Sequence, residues 1–269
     1  MMPIRKRYEC QGVTGAKVGR FNWSLTSTFI IYRIGGTLID CGPTNQWRVT
    51  REFVSEAPVK ELLLTHHHED HSGNAAKIAK ANRLVPYAPE LGRKKLANGF
   101  RIPLIQQIIW GKLDPVETQP LPQQMTLVNG MNVTAVHTPG HAKDLHCLYF
   151  PEPGWLFTAD MFIARKIKML RSDENLQHLM DSLEKLITLD FDVIFCAHRG
   201  PVEEGAQPLI DKLNNLKQLC YEAQSLHEKG ASVEQIVVEL LGPEEAMARS
   251  TGLNISKRNM IREALKVEI

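Results

Sequence analysis

The chain has 269 residues, of which 43% are apolar and 23% charged, and its formal net charge is +2 at pH 7. That length suits one large α/β domain, or one domain with a modest appendage, and the composition is that of an ordinary globular protein. The near-neutral charge argues against a dedicated polyanion binder, and no apolar run approaches the roughly eighteen residues of a membrane span.

Met1 to Cys10 carries Arg5, Lys6 and Arg7 with no apolar core behind them, so it does not read as a secretory signal. Glu9 is the only acid before Ser27, which leaves a short organellar targeting peptide open. Cys10, Cys41, Cys147, Cys196 and Cys220 are widely spaced and form no Cys-x-x-Cys pair. They suit reduced thiols, and a cytoplasmic location is expected.

In chain order, Thr28 to Ile34 alternates like a strand, and Gly35-Gly36 turns it into Thr37 to Asp40. A helix is predicted from about Gln46 to Ser55, and Val59 to Thr65 reads as a short buried strand. His71 opens a helical stretch with Ala75, Ile78 and Ala79 at helical spacing, and Val85-Pro86-Tyr87 reads as an edge strand. Residues 90 to 115, with Arg93-Lys94-Lys95 and Ile105, Ile108, Ile109 and Trp110, predict one or two short helices in an insertion.

Strands resume at Asn132 to His137, Leu145 to Phe150 and Trp155 to Thr158. Asn175 to Leu189 is an amphipathic helix, and Val193 to Ala197 is a buried strand running into His198. The last third predicts helices over residues 206–229, 232–241 and 256–267. Leu209, Leu213, Leu216, Cys220, Ala223 and Leu226 form a stripe that reads as core rather than a dimer seam. Lys257, Arg258, Arg262 and Lys266 read as a solvated face opposite Ile255, Ile261 and Leu265. Strands followed by helices, twice over, predict an α/β protein of αβ/βα sandwich type. Residues 1–204 would form its main domain and residues 205–269 a helical C-terminal extension.

The densest chemistry is His66-His67-His68-Glu69-Asp70-His71, directly after Leu62-Leu63-Leu64. Packing does not explain so many imidazoles and carboxylates leaving one strand end. Two adjacent divalent ions do: His66 and His68 suit one, Asp70 and His71 the other. Three further strand ends deliver the same donor types. Thr138-Pro139-Gly140 turns into His141, Phe157-Thr158-Ala159 precedes Asp160, and Val193 to Ala197 precedes His198.

These motifs resemble the metallo-β-lactamase superfamily, in order and spacing, over residues 28 to 200. The resemblance implies that His66, His68 and His141 bind one metal, that Asp70, His71 and His198 bind a second, and that Asp160 bridges them. Asp70 is also the residue assigned a catalytic role. Asp40 would support the motif loop without being a ligand. His67 and Glu69 are read as outward or supporting, and His137 and His146 as strand or core histidines. The nitrogen and oxygen donors suit Zn first, while Fe and Mn accept the same set. Two such ions would lower the pKa of bound water and stabilise an anion.

Asp160 sets aside antibiotic hydrolysis, because true lactamases of this fold lack an aspartate bridge. The aspartate-bridged branch includes glyoxalase II-type thioesterases, lactonases and nucleases. The expected function is hydrolysis of a thioester or lactone in a small, anionic molecule, with a metal-dependent endoribonuclease acting on nucleic acid as the second reading. No membrane partner is expected. Arg199, beside His198, is a candidate for steering a carboxylate or phosphate. The basic residues that would bind glutathione in glyoxalase II form no recognisable pattern near the C-terminus.

Overall fold

A computed structural model describes residues 4–22, 24–244, 248 and 254–268. They divide into two compact units, the first drawn from within residues 1–137, 144–163 and 191–203 and the second from within residues 138–143, 164–190 and 204–269.

The first unit is built on two sheets. One has seven strands in sequence order: β1 (Lys6–Cys10), β2 (Val13–Val18), β3 (Phe29–Ile34), β4 (Thr37–Ile39), β5 (Glu61–Leu63), β6 (Tyr87–Ala88) and β7 (Gln119–Pro120). Hairpins join β1 to β4, which pair antiparallel. From β4 onward the pairing is parallel, because helices supply the crossovers. These are α1 (Trp47–Val54), α2 (Glu69–Ser72), α3 (Ala75–Asn82), α4 (Glu90–Asn98) and α5 (Leu104–Trp110).

The second sheet has β8 (Gln124–Thr126), β9 (Asn132–His137), β10 (His146–Phe150), β11 (Trp155–Ala159), β13 (Val193–Cys196) and β14 (Gly200–Val202), in the spatial order β14-β13-β11-β10-β9-β8. The expected α/β sandwich is what forms. Ile30, Tyr32 and Ile34 share one core with Leu148, Phe157 and Phe195 of the second sheet. Phe29 and Ile31 join the other core, with Phe53 of α1 and Ile78 of α3. All six residues of β3 are therefore buried, and its alternation divides two apolar layers rather than core from solvent.

Two sequence expectations need correction, and one hairpin forms where no element was expected. Glu9 to Val18 lies in the β1-β2 hairpin, which closes on Gln11-Gly12, both with positive φ. The strand expected at the edge, here β6, is internal, because the two-residue β7 pairs beyond it. Lys257 is not solvated: it is buried, and its ammonium donates to the carbonyl of Pro243.

The second unit contains α6 (Leu176–Ile187), α7 (Gln207–Glu228), α8 (Val233–Ile236), a π-turn at Val237–Leu241 and a helix at Lys257–Ala264. The two-residue strands β12 (Leu170–Arg171) and β15 (Ile255–Ser256) pair antiparallel. Leu209, Leu213, Leu216, Cys220 and Ala223 form the buried stripe of α7, as core packing predicts. The last helix buries Met260, Ile261 and Ala264, while Ile255 is exposed.

Two devices hold the loops that carry the polar motifs. In the second unit, Asn175 caps α6 by accepting from the His178 N–H at 2.8 Å, and its own N–H donates to the Gly140 carbonyl at 2.8 Å. Ser182 donates to the carbonyl of Pro139 at 2.7 Å. Gly140 has φ +137°, and a Cβ there would lie 2.5 Å from Leu179 Cα. In the first unit, His67 is a buried peg. Asp144 Oδ1 lies 2.7 Å from its Nδ1, Asp144 Oδ2 accepts from its backbone N–H at 2.9 Å, and Lys95 Nζ lies 2.9 Å from its Nε2. Ser72 donates to the carbonyls of His67 and His68, closing the turn that follows.

Gly140→Ala should lower stability by at least about 2 kcal/mol in urea unfolding, since both backbone angle and space oppose a side chain. Asp144 supplies a second expectation. Burial raises its carboxyl pKa, but the hydrogen bonds and charge of His67 outweigh that and hold it below the ordinary value. Its contribution is therefore fully present above about pH 4 and lost as pH falls through the depressed value. Asp144→Asn should cost about 2 kcal/mol at pH 7, and the gap from the parent should close toward pH 3. Unfolding curves at the two pH values measure this, and a pH-independent gap would contradict it.

Candidate metal centre

Asp40, at the end of β4, has φ +54°, a region that a non-glycine residue rarely occupies. Its buried carboxylate accepts from the Thr65 N–H at 2.8 Å and from the Thr65 hydroxyl at 2.7 Å, and His71 Nδ1 lies 2.7 Å away. Asp40 thus supports the motif loop, as its position in the sequence suggests. Asp160 is aimed by a similar irregularity. The β11-β13 register shifts between Phe157 and Ala159, and Ala159 has φ +45°.

The protons on the imidazoles follow from their partners. Thr65 spends its hydroxyl proton on Asp40, so at 3.1 Å it accepts from His66 Nδ1. His71 Nδ1 donates to Asp40, and His198 Nδ1 donates to the Thr28 carbonyl at 2.6 Å. In its neutral form each of these rings therefore presents its Nε2 lone pair, the atom where a proton or a metal ion would sit. His71 Nε2 and His198 Nε2 face Asp160 Oδ1 at 3.1 and 3.0 Å, and Asp70 Oδ2 lies 3.9 and 3.8 Å from the same two nitrogens. His66 Nε2 faces His68 Nδ1 at 3.0 Å.

Acceptors this close, buried and facing one another, need positive charge between them. Burial by itself lowers the pKa of His71 and of His198. The carboxylates override it, chiefly Asp160, with Asp40 and Asp70 adding for His71 and Asp70 for His198, so that both rise above the ordinary histidine value. Asp70, His71, Asp160 and His198 offer donor atoms all within 4.8 Å of one another, and so do His66, His68 and Asp160. Five-membered rings and carboxylates fixed from behind are a donor set that fits divalent metal ions. Phe29 forms an apolar floor, with ring centroids 4.6 Å from His71 and 5.9 Å from His198.

His141 lies in the second unit, and Glu174 holds its Nδ1 there. Arg199 is exposed, and its Nε donates to the carbonyl of Ile163 at 3.1 Å. Glu69 and His67 are buried rather than outward. His137 and His146 are cross-strand partners with rings 4.9 Å apart. Sequence reasoning did not find Thr65, Thr28, Asp144 or Glu174. Thr65 alone carried a local signal, directly preceding the histidine run; the others act from up to 170 residues away.

Solved structures with the same fold include a beta-lactamase domain protein from Burkholderia ambifaria, with a TM-score of 0.73 and 16% identity over 99% of this chain and 90% of that one. A metallo-beta-lactamase family protein from Thermus thermophilus gives a TM-score of 0.69 and 18% identity over 95% and 91%. In sequence, the chain is 26% identical to the lactamase-like protein aptB of Emericella nidulans over 54% of its own length and 40% of that protein's. It is 25% identical to an atrochrysone carboxyl ACP thioesterase of Passalora fulva, over 76% of this chain and 57% of the other. The chain thus spans about half the length of these relatives. The family described as the metallo-beta-lactamase superfamily matches residues 23–198, so on both its fold and its sequence the chain belongs to that superfamily.

Proposed function

We propose that this chain is a dinuclear metal hydrolase that cleaves an ester-type bond in a small anionic molecule, a thioester ahead of a lactone. The observation that carries the reading is Asp160, whose carboxylate belongs to both donor sets. In this reading His66, His68 and His141 would hold one ion, Asp70, His71 and His198 would hold the other, and Asp160 would serve both. Zn suits these donors first, and Fe or Mn accept the same geometry. When bound, the ions would supply Lewis-acid polarisation and a lowered pKa for water.

The chain's own residues do the rest. Asp40, Thr65 and the Thr28 carbonyl keep the Nε2 lone pairs forward and stop the rings from turning. In this reading Asp70, whose side chain is 12% exposed, orients an attacking water and takes its proton. Water adds to the acyl carbon, the C–S bond breaks, and the thiol leaves with a proton while the acyl group departs as a carboxylate. The names of the thioesterase relatives support the thioester over the lactone.

Elemental analysis of the purified protein should find about two transition-metal ions per chain. A folded preparation that takes up none after reconstitution would remove the basis of this reading. Asp160→Asn preserves shape and deletes the shared charge, so turnover should fall at least about a hundredfold. Activity should be measured against thioesters, lactones, phosphodiesters and single-stranded RNA. RNA cleavage with steep salt dependence would favour the endoribonuclease instead.

A further inference from the structure

The insertion carrying α4 and α5 is unusual in charge and surface. Residues 91–112 contain Arg93, Lys94, Lys95, Arg101 and Lys112 and no acid. The acids that flank the segment are already engaged, Glu90 with Arg93 at 2.7 Å and Asp114 with Lys77 at 4.0 Å. Among the described residues, Lys94, Arg101 and Lys112 pair with no acid and are exposed. Between them α5 presents Leu104 at 73% exposure, with Ile105 and Ile108 beside it. An apolar helix face framed by unneutralised cations is costly to leave in water and is the composition of a contact surface.

The segment is anchored at both ends to the loops of the candidate metal centre. At one end Lys95 reaches His67 Nε2, and the Phe100 ring centroid lies 5.0 Å from that of His67, between the ligand-type residues His66 and His68. At the other end Thr44 donates to the Lys112 carbonyl at 3.1 Å and Asn45 to the Ile109 carbonyl at 2.8 Å, just beyond Asp40. Arg20 adds a further cation, donating to the Ile108 carbonyl at 3.0 Å. Whatever docks on α5 is therefore held beside the centre.

We infer that the α4–α5 segment is the docking surface for an acidic carrier protein that delivers the acyl group as a thioester on a flexible arm. The inference rests on the thioester reading above, names the partner of that site, and assigns the anionic character to the carrier rather than to the small acyl group. Charge selects an acidic partner, since the segment offers cations without anions. The apolar face selects a folded protein over a free anion, because a small anion would leave Leu104, Ile105 and Ile108 in water. Attachment of the acyl group to a carrier also explains why recognition can sit on the rim of the site and not in its donor set.

The test compares one acyl group on two leaving thiols, octanoyl-loaded acyl carrier protein and octanoyl-N-acetylcysteamine, with binding of the loaded carrier measured by calorimetry. The parent should prefer the carrier-borne substrate, and that preference should shrink as salt rises. Lys94→Glu with Arg101→Glu should lower the ratio of the two kcat/KM values about tenfold and weaken carrier binding, by removing the steering charge. Leu104→Ser with Ile108→Ser should weaken binding without flattening its salt dependence. Equal effects on both substrates, or a parent without carrier preference, would overturn the docking surface and leave the thioesterase standing. Salt-sensitive carrier binding without hydrolysis of either thioester would do the reverse. Binding to anionic phosphatidylglycerol vesicles with none to the carrier would overturn the proposal in favour of a membrane surface.

Discussion

The carboxylate of Asp40 is the constraint on which the rest of the site depends. It closes three hydrogen bonds at once, to the Thr65 N–H, the Thr65 hydroxyl and His71 Nδ1, inside a core where none of these groups can reach water. Removing it would leave buried donors unpaired, at about 1 to 3 kcal/mol for each. Its effect is also directional. By taking the Thr65 proton it makes Thr65 an acceptor for His66, and by taking the His71 proton it fixes the ring's other nitrogen as a lone pair. One carboxylate thereby sets the protons of two imidazoles in two different donor sets. The parallel pairing of β4 with β5 makes this possible, because it brings Asp40 and Thr65 to neighbouring strand ends.

That dependence explains what could be read from the chain and what could not. The histidine run and the strand-end His and Asp residues are legible, because donor chemistry is a property of residue type and these sit directly after apolar strands. Their order along the chain carries the superfamily, and through it the two-sheet sandwich. Supporting residues are harder to see, since their roles come from long-range contacts. Asp144 meets His67 across 77 residues, and Thr28 serves His198 through a backbone carbonyl that any residue would supply. The β1-β2 hairpin escaped for another reason. β1 is charged and mostly exposed and so shows no apolar alternation, while β2 is a short segment interrupted by Gly15, and the turn falls on Gln11-Gly12. Lys257 escaped because a helical wheel assigns a lysine to solvent, whereas here a carbonyl inside the fold receives it.

The polar centre also depends on the apolar layers that flank it. β3 lies between two cores, and its first residue, Phe29, makes T-shaped ring contacts with both His71 and His198. Exclusion of water strengthens each hydrogen bond there and raises the cost of any unmet one. The stacked pair Phe157 and Phe195, 4.5 Å apart, with Tyr32 against both, holds β11 and β13 in place just before Asp160 and His198 leave them. Rigid strands below and a closed polar network above give the donors positions that neither could impose alone.

The charges of the molecule are thus divided by depth. The carboxylates and imidazoles of the centre are buried and act over hydrogen-bond distances, where salt screens little. The cations of the α4–α5 segment are exposed and act over the ~8 Å that physiological salt permits. In the proposed reading, recognising cations placed among the donors would compete with metal ions for the same carboxylates. Keeping them on a separate helix pair, tied to the centre through His67 at one end and Thr44 at the other, allows a charged surface to lie next to a metal site without neutralising it. Lys95 stands at the join. It reaches the centre through His67, and Asp144 on the far side of that ring supplies the compensating charge.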